Sequence, residues 1–306
     1  MRTIVWGAIG CGDVCERKSG PPLYQVPGCE LAGVTRRDAT KGKDFARRHD
    51  CRYFSSAAEL LAAPEVEAVY IATHPDTHAE YTLQAAAVGK HVLVEKEMAS
   101  DAGECTAMID ACARAGVVLG VAFYRRCYPS ILRSQELLTS GAIGTIRELR
   151  INDEFPLAHR LDLAHFLCGG LSEVALRDET LPPGSHAARG PVLYARSHAG
   201  ARCVMSVGWH ESTMIETLVI TGETGRITVA DLKAGRLLRE DRDGRTEEHL
   251  GGLPYTHTGL IDNFACHLRG TAPLACPGEE GRKSQVIEDV VSGLEPDGQP
   301  VAVDYA

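Results

Sequence analysis

The sequence predicts an α/β domain followed by a second, α+β domain, and three observations carry that prediction. Short apolar strands alternate with helices from Thr3 to Phe123. A glycine-rich turn follows the first of those strands, and beyond Phe123 the pattern changes to runs of strands separated by turn residues.

The strands of the first part fall at residues 3–9, 30–35, 66–73, 91–95 and 117–123. Residues 55–63 read as a helix, with Ser56 and Glu59 at capping-box spacing and Pro64 beyond its end. Residues 77–88 form an alanine-rich helix closed by Gly89. In residues 101–115, Asp101 and Glu104 supply the start of a helix and Gly116 the stop. Such regular alternation argues for a parallel sheet covered on both faces. After it, helices are expected at 129–140, at 159–167, at Thr258–Leu268 and at 281–292, with a strand at 145–152. Residues 192–249 read as antiparallel strands, turning at His198-Ala199-Gly200, Gly222-Glu223-Thr224-Gly225 and Asp243-Gly244. The expected boundary lies near Ala122, giving domains 1–122 and 123–306.

Composition narrows the class. With 44% hydrophobic and 24% charged residues the chain has enough apolar surface to fold, which excludes a disordered protein. Its 41 acidic residues against 32 basic ones leave a net charge of −9, which repels phosphate backbones and argues against a nucleic-acid partner. No run approaches the roughly 18 apolar residues of a membrane span. The N-terminus enters an apolar strand directly, without a small-residue cleavage site, so a signal peptide is not expected. The 11 cysteines are scattered from Cys11 to Cys276 without a Cys-x-x-Cys pair, which points to reduced, buried thiols in a cytoplasmic protein and away from a zinc site.

The first strand ends Gly7-Ala8-Ile9-Gly10-Cys11-Gly12-Asp13-Val14-Cys15. Gly10 and Gly12 supply the first half of a dinucleotide fingerprint, in which one glycine allows a tight turn and the next lets backbone N–H groups approach a pyrophosphate. Cys15 holds the third small position. The second strand ends Val34-Thr35-Arg36-Arg37, where an NAD site carries an acid. An acid would repel a 2′-phosphate, whereas the guanidiniums of Arg36 and Arg37 bind one, so NADP(H) is preferred with NAD(H) as the alternative.

Three motifs in order, the glycine turn, Ile71-Ala72-Thr73-His74-Pro75-Asp76-Thr77-His78 and Val94-Glu95-Lys96, make the sequence resemble the glucose–fructose oxidoreductase, inositol dehydrogenase and MocA-like (Gfo/Idh/MocA) family of NAD(P)-dependent oxidoreductases. The resemblance covers the first 150 residues or so closely and the rest loosely. It implies a Rossmann domain followed by an α+β domain with a large, mostly antiparallel open sheet, through which such proteins form homodimers or homotetramers. It also implies that Thr73, His74, Pro75, His78 and Glu95 border the cofactor. Lys96, in a Glu95-Lys96-Glu97 variant of the family's Glu-Lys-Pro, is then the residue that stabilises charge on the reacting oxygen. With Glu97 in place of proline, a trans Lys96–Glu97 bond is expected. His78 reads as structural. Phe123-Tyr124-Arg125-Arg126 matches the family's hinge strand, Tyr124 being either a proton donor or a packing residue.

The family's Asp-x-x-x-His-x-x-Asp pattern falls on Phe155 to Asp162, which puts His159 at the acid/base position and Asp162 on the same helical face. Phe155 replaces the first aspartate, and the glycine-rich stretch before it is missing. His165 drifts off that face, so no metal site is expected. The resemblance thus implies an NADP(H)-dependent oxidoreductase that moves hydride to or from a sugar- or cyclitol-like hydroxyl or ketone. Imine reduction and a cofactor-binding sensor with reduced catalysis are the alternatives.

Overall fold

The computed structural model describes residues 1–152, 157–178, 191–206 and 216–306. Phe155, and with it the expected substitution of the family aspartate, lies outside the described residues. The chain divides into two compact units, Met1–Tyr124 with Pro254–Gln285 and Arg125–Leu253 with Val286–Ala306.

The first unit is built on six parallel strands: β1 (Ile4–Ile9), β2 (Cys29–Thr35), β3 (Arg52–Tyr53), β4 (Ala68–Ile71), β5 (His91–Val94) and β6 (Leu119–Val121). Their order is β3-β2-β1-β4-β5-β6, the doubly wound Rossmann arrangement. Every residue of β4, and Val92, Leu93 and Val94 of β5, are fully buried, as expected where helices cover both faces. Because the chain winds one way from β1 to β3 and the other from β4 to β6, the ends of β1 and β4 lie side by side with a crevice beyond them.

The helix caps follow the sequence reading. Ser56 Oγ accepts from the Glu59 N–H at 3.1 Å, Asp101 Oδ1 accepts from the Glu104 N–H at 2.8 Å, and Gly116 closes its helix in the left-handed conformation. Both glutamates reach one residue further back than a capping box requires, to the N–H groups of Ser55 and Ser100. Strand β3 and the helix Ala39–Arg48 were not expected. That helix buries only Gly42, Phe45 and Ala46, too thin an apolar stripe to stand out in a polar stretch.

The sequence places 123–306 in one domain, but residues 254–285 belong to the first unit. The helix Thr258–Leu268 buries Leu260, Ile261, Phe264 and Ala265, and the Phe264 ring lies 5.3 Å from that of Trp6 in β1. Farther on, Cys276 O accepts from the Val121 N–H at 2.9 Å, docking this returning segment on β6. A chain that returns to an earlier unit does so through tertiary contacts, which local periodicity does not report. The expected hinge strand also differs. Strand β6 stops at Val121, and Tyr124–Cys127 forms a single 3-10 turn.

The second unit is a nine-stranded sheet: β7 (Ile146–Asn152), β8 (Leu171–Asp178), β9 (Pro191–Ser197), β10 (Arg202–Ser206), β11 (Thr217–Gly222), β12 (Gly225–Asp231), β13 (Arg236–Asp241), β14 (Gly244–His249) and β15 (Val301–Ala302). The order is β14-β13-β12-β11-β7-β10-β9-β8-β15, and every pair is antiparallel except β7 with β10. One face is apolar, with Leu149, Ile151, Cys203, Met205, Leu218, Ile220, Ile227 and Val229 all buried. The helix Leu157–Cys168 packs against β7, β8 and β10, and is buried on nearly every side. The other face carries directly opposed ion pairs, Arg202 with Glu148, Arg196 with Glu173 and Arg226 with Glu240. Such cross-strand pairs help set register although each is worth little when exposed.

The turn expected at 222–225 joins β11 to β12 and leans on the loop before β7. Glu223 and Thr224 donate backbone hydrogen bonds to Thr145 O and Ile143 O. A Cβ at Gly222 would lie 2.1 Å from Ile143 O. Gly222→Ala should therefore cost about 1–3 kcal/mol through backbone displacement. Thermal unfolding is expected to show a Tm several degrees lower, and an unchanged Tm would refute the close approach.

Candidate functional site

In the first unit the sequence-predicted residues gather at the carboxyl ends of β1, β2, β4 and β5. Gly10 has φ = +90°, and a Cβ there would meet Ala72 O at 2.7 Å, so only glycine allows the β1 turn to lie this close to the end of β4. Nothing lies within 4 Å of where a Cβ on Gly12 would sit. Gly10 thus closes the turn inward and Gly12 leaves its outer side open to a ligand. Gly7 serves packing, for a Cβ would lie 2.6 Å from Leu60 Cδ2. After the turn, Asp13 and Val14 are exposed, while Cys15 is buried at the start of a short π-helical segment, Cys15–Ser19. Burial raises the Cys11 thiol to about 11 and Cys15 further, so both are protonated, unreactive packing groups.

Arg36, at the end of β2, donates from Nη1 to Cys11 O at 2.9 Å, so its guanidinium lies against the glycine turn. Arg37 is exposed. No carboxylate occupies the end of β2, where Thr35 is followed by Arg36 and Arg37.

After β4, Thr73 to Thr77 form a compact turn in which Thr77 Oγ1 donates to Thr73 Oγ1 and to His74 O, both at 2.8 Å. Exposed His74 pairs with Asp76 at 3.0 Å, and Pro75 begins the helical turn. His78 is fully buried, with Nδ1 2.9 Å from Glu97 O and Nε2 3.2 Å from Thr73 O. It joins the β4 loop to the β5 loop. Burial lowers its pKa while the two carbonyls oppose that shift. The Lys96–Glu97 bond is cis, against the trans bond expected from the sequence.

Beneath Lys96 lies a polar cluster that the sequence did not reveal. Glu95 is 6% exposed. Its Oε1 receives the Tyr70 hydroxyl and faces His257 Nε2 at 2.8 Å, and its Oε2 receives the Lys96 backbone N–H at 3.2 Å. The His257 ring also packs 4.4 Å from that of Tyr124, which is buried. His257 stands 162 residues after Glu95, just before the returning helix, and no motif or spacing connects the two. Burial works to raise the Glu95 pKa, but the charge and hydrogen bond of His257 and the Tyr70 hydroxyl outweigh it and hold the carboxyl below its ordinary 4.5. Burial and the adjacent Glu95 charge drive the Tyr70 phenol well upward.

In the second unit, His159 and Asp162 lie on the buried helix Leu157–Cys168, 2% and 1% exposed. The sequence reading pairs Asp162 with His159; the structure gives Asp162 a different strong partner. Arg126 Nε donates to both carboxylate oxygens at 3.1 and 3.0 Å, and Nη2 to Oδ1 at 2.6 Å. This charge-assisted fork, with the Phe166 ring 4.7 Å from the guanidinium carbon, ties the helix to the 124–127 turn. Arg125 makes a second buried pair with Glu216 at 3.2 Å.

A hollow of about 400 Å³ on β8–β10 is lined by Glu173, Arg177, Tyr194, Arg196 and Arg202 among others, none of them a predicted site residue. Its arginines are engaged by Glu173, Glu148 and backbone carbonyls, so it is part of the ion-paired sheet face. Among the described residues no three His, Cys, Asp or Glu side chains are placed to hold a metal ion, and no helix is long and apolar enough to cross a membrane.

Comparison with known proteins agrees with the first unit. Residues 4–123 match the model of the oxidoreductase family with an NAD-binding Rossmann fold. An oxidoreductase of Formosa agariphila is 43% identical over 144 residues, 47% of this chain and 45% of that protein. A dTDP-3,4-didehydro-2,6-dideoxy-alpha-D-glucose 3-reductase of Saccharopolyspora spinosa is 31% identical over 144 residues, 46% of this chain and 43% of the reductase. The chain thus spans a little under half the length of these curated relatives. In fold it is similar to an oxidoreductase of Agrobacterium radiobacter solved with NAD+, L-tartaric acid and magnesium, with a TM-score of 0.85 at 20% identity over 98% of both chains.

The depressed Glu95 pKa makes a pH prediction. A carboxylate with a lower pKa folded than unfolded stabilises the fold above the unfolded value, and that contribution disappears as pH falls through the folded one. The Tm advantage of wild type over Glu95→Gln is expected to be full above pH 4.5 and to shrink on acidification below it. A gap that stays constant down to about pH 3 would contradict the assignment.

Proposed function

Because residues 4–123 match the oxidoreductase family with an NAD-binding Rossmann fold, we propose that this chain is an NADP(H)-dependent oxidoreductase of the Gfo/Idh/MocA type acting on a sugar-like hydroxyl or ketone. The observation that carries this reading is the set of side chains at the ends of β1, β2 and β5: an open Gly12, Arg36 against the turn, and Lys96 above a buried carboxylate. The residues fit a dinucleotide, since Gly12 leaves the outer side of the turn open to a pyrophosphate, and Arg36 at the end of β2 supports recognition of a 2′-phosphate. A bound nicotinamide supplies the hydride donor or acceptor.

The chain's own groups supply the rest of the chemistry. The Lys96 ammonium stabilises negative charge on the reacting oxygen, and the gain is largest where water is excluded. His159 gives or takes the proton at that oxygen, a task suited to imidazole near neutral pH. Asp162, held by Arg126, fixes the helix that carries His159. Tyr124 stays in this reading as a proton donor or packing group beside His257. A sugar-like substrate is favoured by the likeness to a nucleotide-sugar ketoreductase. Association of like chains through the ion-paired sheet face and a reducing, cytoplasmic setting belong to the same reading; the buried thiols support the setting.

Two experiments test it. NADPH oxidation with a panel of keto-sugars should fall about 10²–10³-fold in Lys96→Ala and about 10²–10⁴-fold in His159→Ala. Tight NADPH binding without turnover on keto-sugars or imines would refute the enzyme reading in favour of a sensor. Separately, Arg36→Asp should weaken NADPH binding at least tenfold more than NADH binding, about 1.4 kcal/mol of discrimination. Equal losses in a titration of nicotinamide fluorescence would overturn the preference for NADP(H).

A further inference from the structure

We infer that His257 is a positioning residue for the Lys96 end of the site, holding the Glu95 carboxylate beneath Lys96 and the Tyr124 ring beside it. The inference rests on the assignment of Lys96 to the reacting oxygen. Four groups from four parts of the chain meet here: Tyr70 in β4, Glu95 after β5, Tyr124 after β6 and His257 at the start of the returning helix. All belong to the first unit, and all are buried.

The geometry gives each contact a distinct task. Glu95 uses its two oxygens differently, Oε1 toward Tyr70 and His257 and Oε2 toward the Lys96 N–H. A carboxylate anchored at Oε1 cannot swing, so Oε2 fixes the backbone at the point where Lys96 leaves the strand. The opposite edge of the His257 ring, Nδ1, meets the Thr256 hydroxyl at 3.0 Å, so the ring is held at both nitrogens. Its plane lies 39° from that of Tyr124, with ring centroids 4.4 Å apart, close enough to restrict Tyr124. A histidine used only to fill space at a helix start would not need a buried carboxylate at hydrogen-bond distance, where leaving either group unpaired is costly.

Removing the His257 donor loosens Glu95 at Oε1, so Oε2 no longer fixes the backbone at Lys96 and the Lys96 side chain becomes more mobile. The Lys96 amine then acylates more readily. The test compares the full-length wild type with His257→Leu, labelling each with trace acetic anhydride near pH 8 and reading sites by mass spectrometry. Lys90, bound to Ala63 O and Val66 O, is the internal reference. Lys96 acylation relative to Lys90 is expected to rise at least threefold, and an unchanged ratio in folded protein overturns the inference. If His257→Leu does not fold, Tyr70→Phe removes another donor to Oε1 and is expected to raise the ratio about twofold, and no change there overturns it equally.

In turnover assays, His257→Leu is expected to lower kcat tenfold or more with NADPH affinity within twofold of wild type. His257→Gln, whose amide nitrogen can take the place of Nε2, should recover most of the loss. A failure of Gln to rescue, or a loss confined to KM, would reduce His257 to packing. Should wild type transfer hydride to no substrate tried, the functional reading falls, and the acylation ratio still decides whether His257 controls Lys96.

Discussion

A carboxylate buried at the end of β5 can remain charged only if donors converge on it, and much of the first unit is arranged so that they do. Glu95 draws Tyr70 from the neighbouring strand and His257 from a segment that returns after β14 of the second unit. Satisfying this one group therefore requires β4, β5 and residues 254–258 to be in place together. The helix that follows His257 then covers β1 through Phe264 and Trp6. An unpaired buried carboxylate would cost several kcal/mol, a large fraction of a domain's net stability, so the cluster is a condition for the fold as well as for the site.

The second unit meets a comparable demand with Arg126 and Asp162. Its central helix is buried on almost every side, so it has no polar stripe to direct it toward solvent. The three hydrogen bonds from Arg126 fix its rotation against the 124–127 turn. A helix held this way presents His159 in one orientation. The cost is a charged pair in a dry interior, where breaking either half is far more damaging than the net worth of the pair. Buried ion pairs thus act here as alignment devices, whereas the exposed Arg–Glu rungs on the open sheet face contribute mainly register.

How much of this was legible in the sequence depended on range. Strand–helix alternation, capping pairs such as Ser56 with Glu59 and stop glycines such as Gly116 are local, and they placed most of the first unit. The glycine turn was legible as a local motif, and Arg36 because its partner Cys11 lies only 25 residues earlier. The helix Ala39–Arg48 escaped because its buried stripe is three residues wide. His257 escaped for a different reason: its partner is 162 residues away, and a lone histidine before a helix has no local pattern to distinguish it. Spacing put Asp162 on the same helix as His159, but its bond to Arg126 depends on how the 124–127 turn packs, which spacing cannot encode. The domain division failed to register the returning segment on the same grounds.

Arg36 shows how a local feature and a tertiary contact combine. Its guanidinium donates from Nη1 to the neutral carbonyl of Cys11, a bond worth roughly 1 kcal/mol net. A phosphate at the ribose 2′ position offers a charge-assisted, two-pronged acceptor, worth about twice as much per bond. Exchanging the carbonyl for that phosphate, or adding it beside the carbonyl, is therefore favourable. A 2′-hydroxyl offers no comparable gain, because it presents a neutral acceptor like the one Arg36 already has. An acid at the end of β2 would reverse the balance, accepting from the hydroxyl and repelling the phosphate. The contact with Cys11 also keeps the guanidinium beside the glycine turn before any ligand arrives, so little side-chain entropy remains to be lost on binding. The proposed preference for the phosphorylated cofactor thus rests on charge and preorganisation at one side chain.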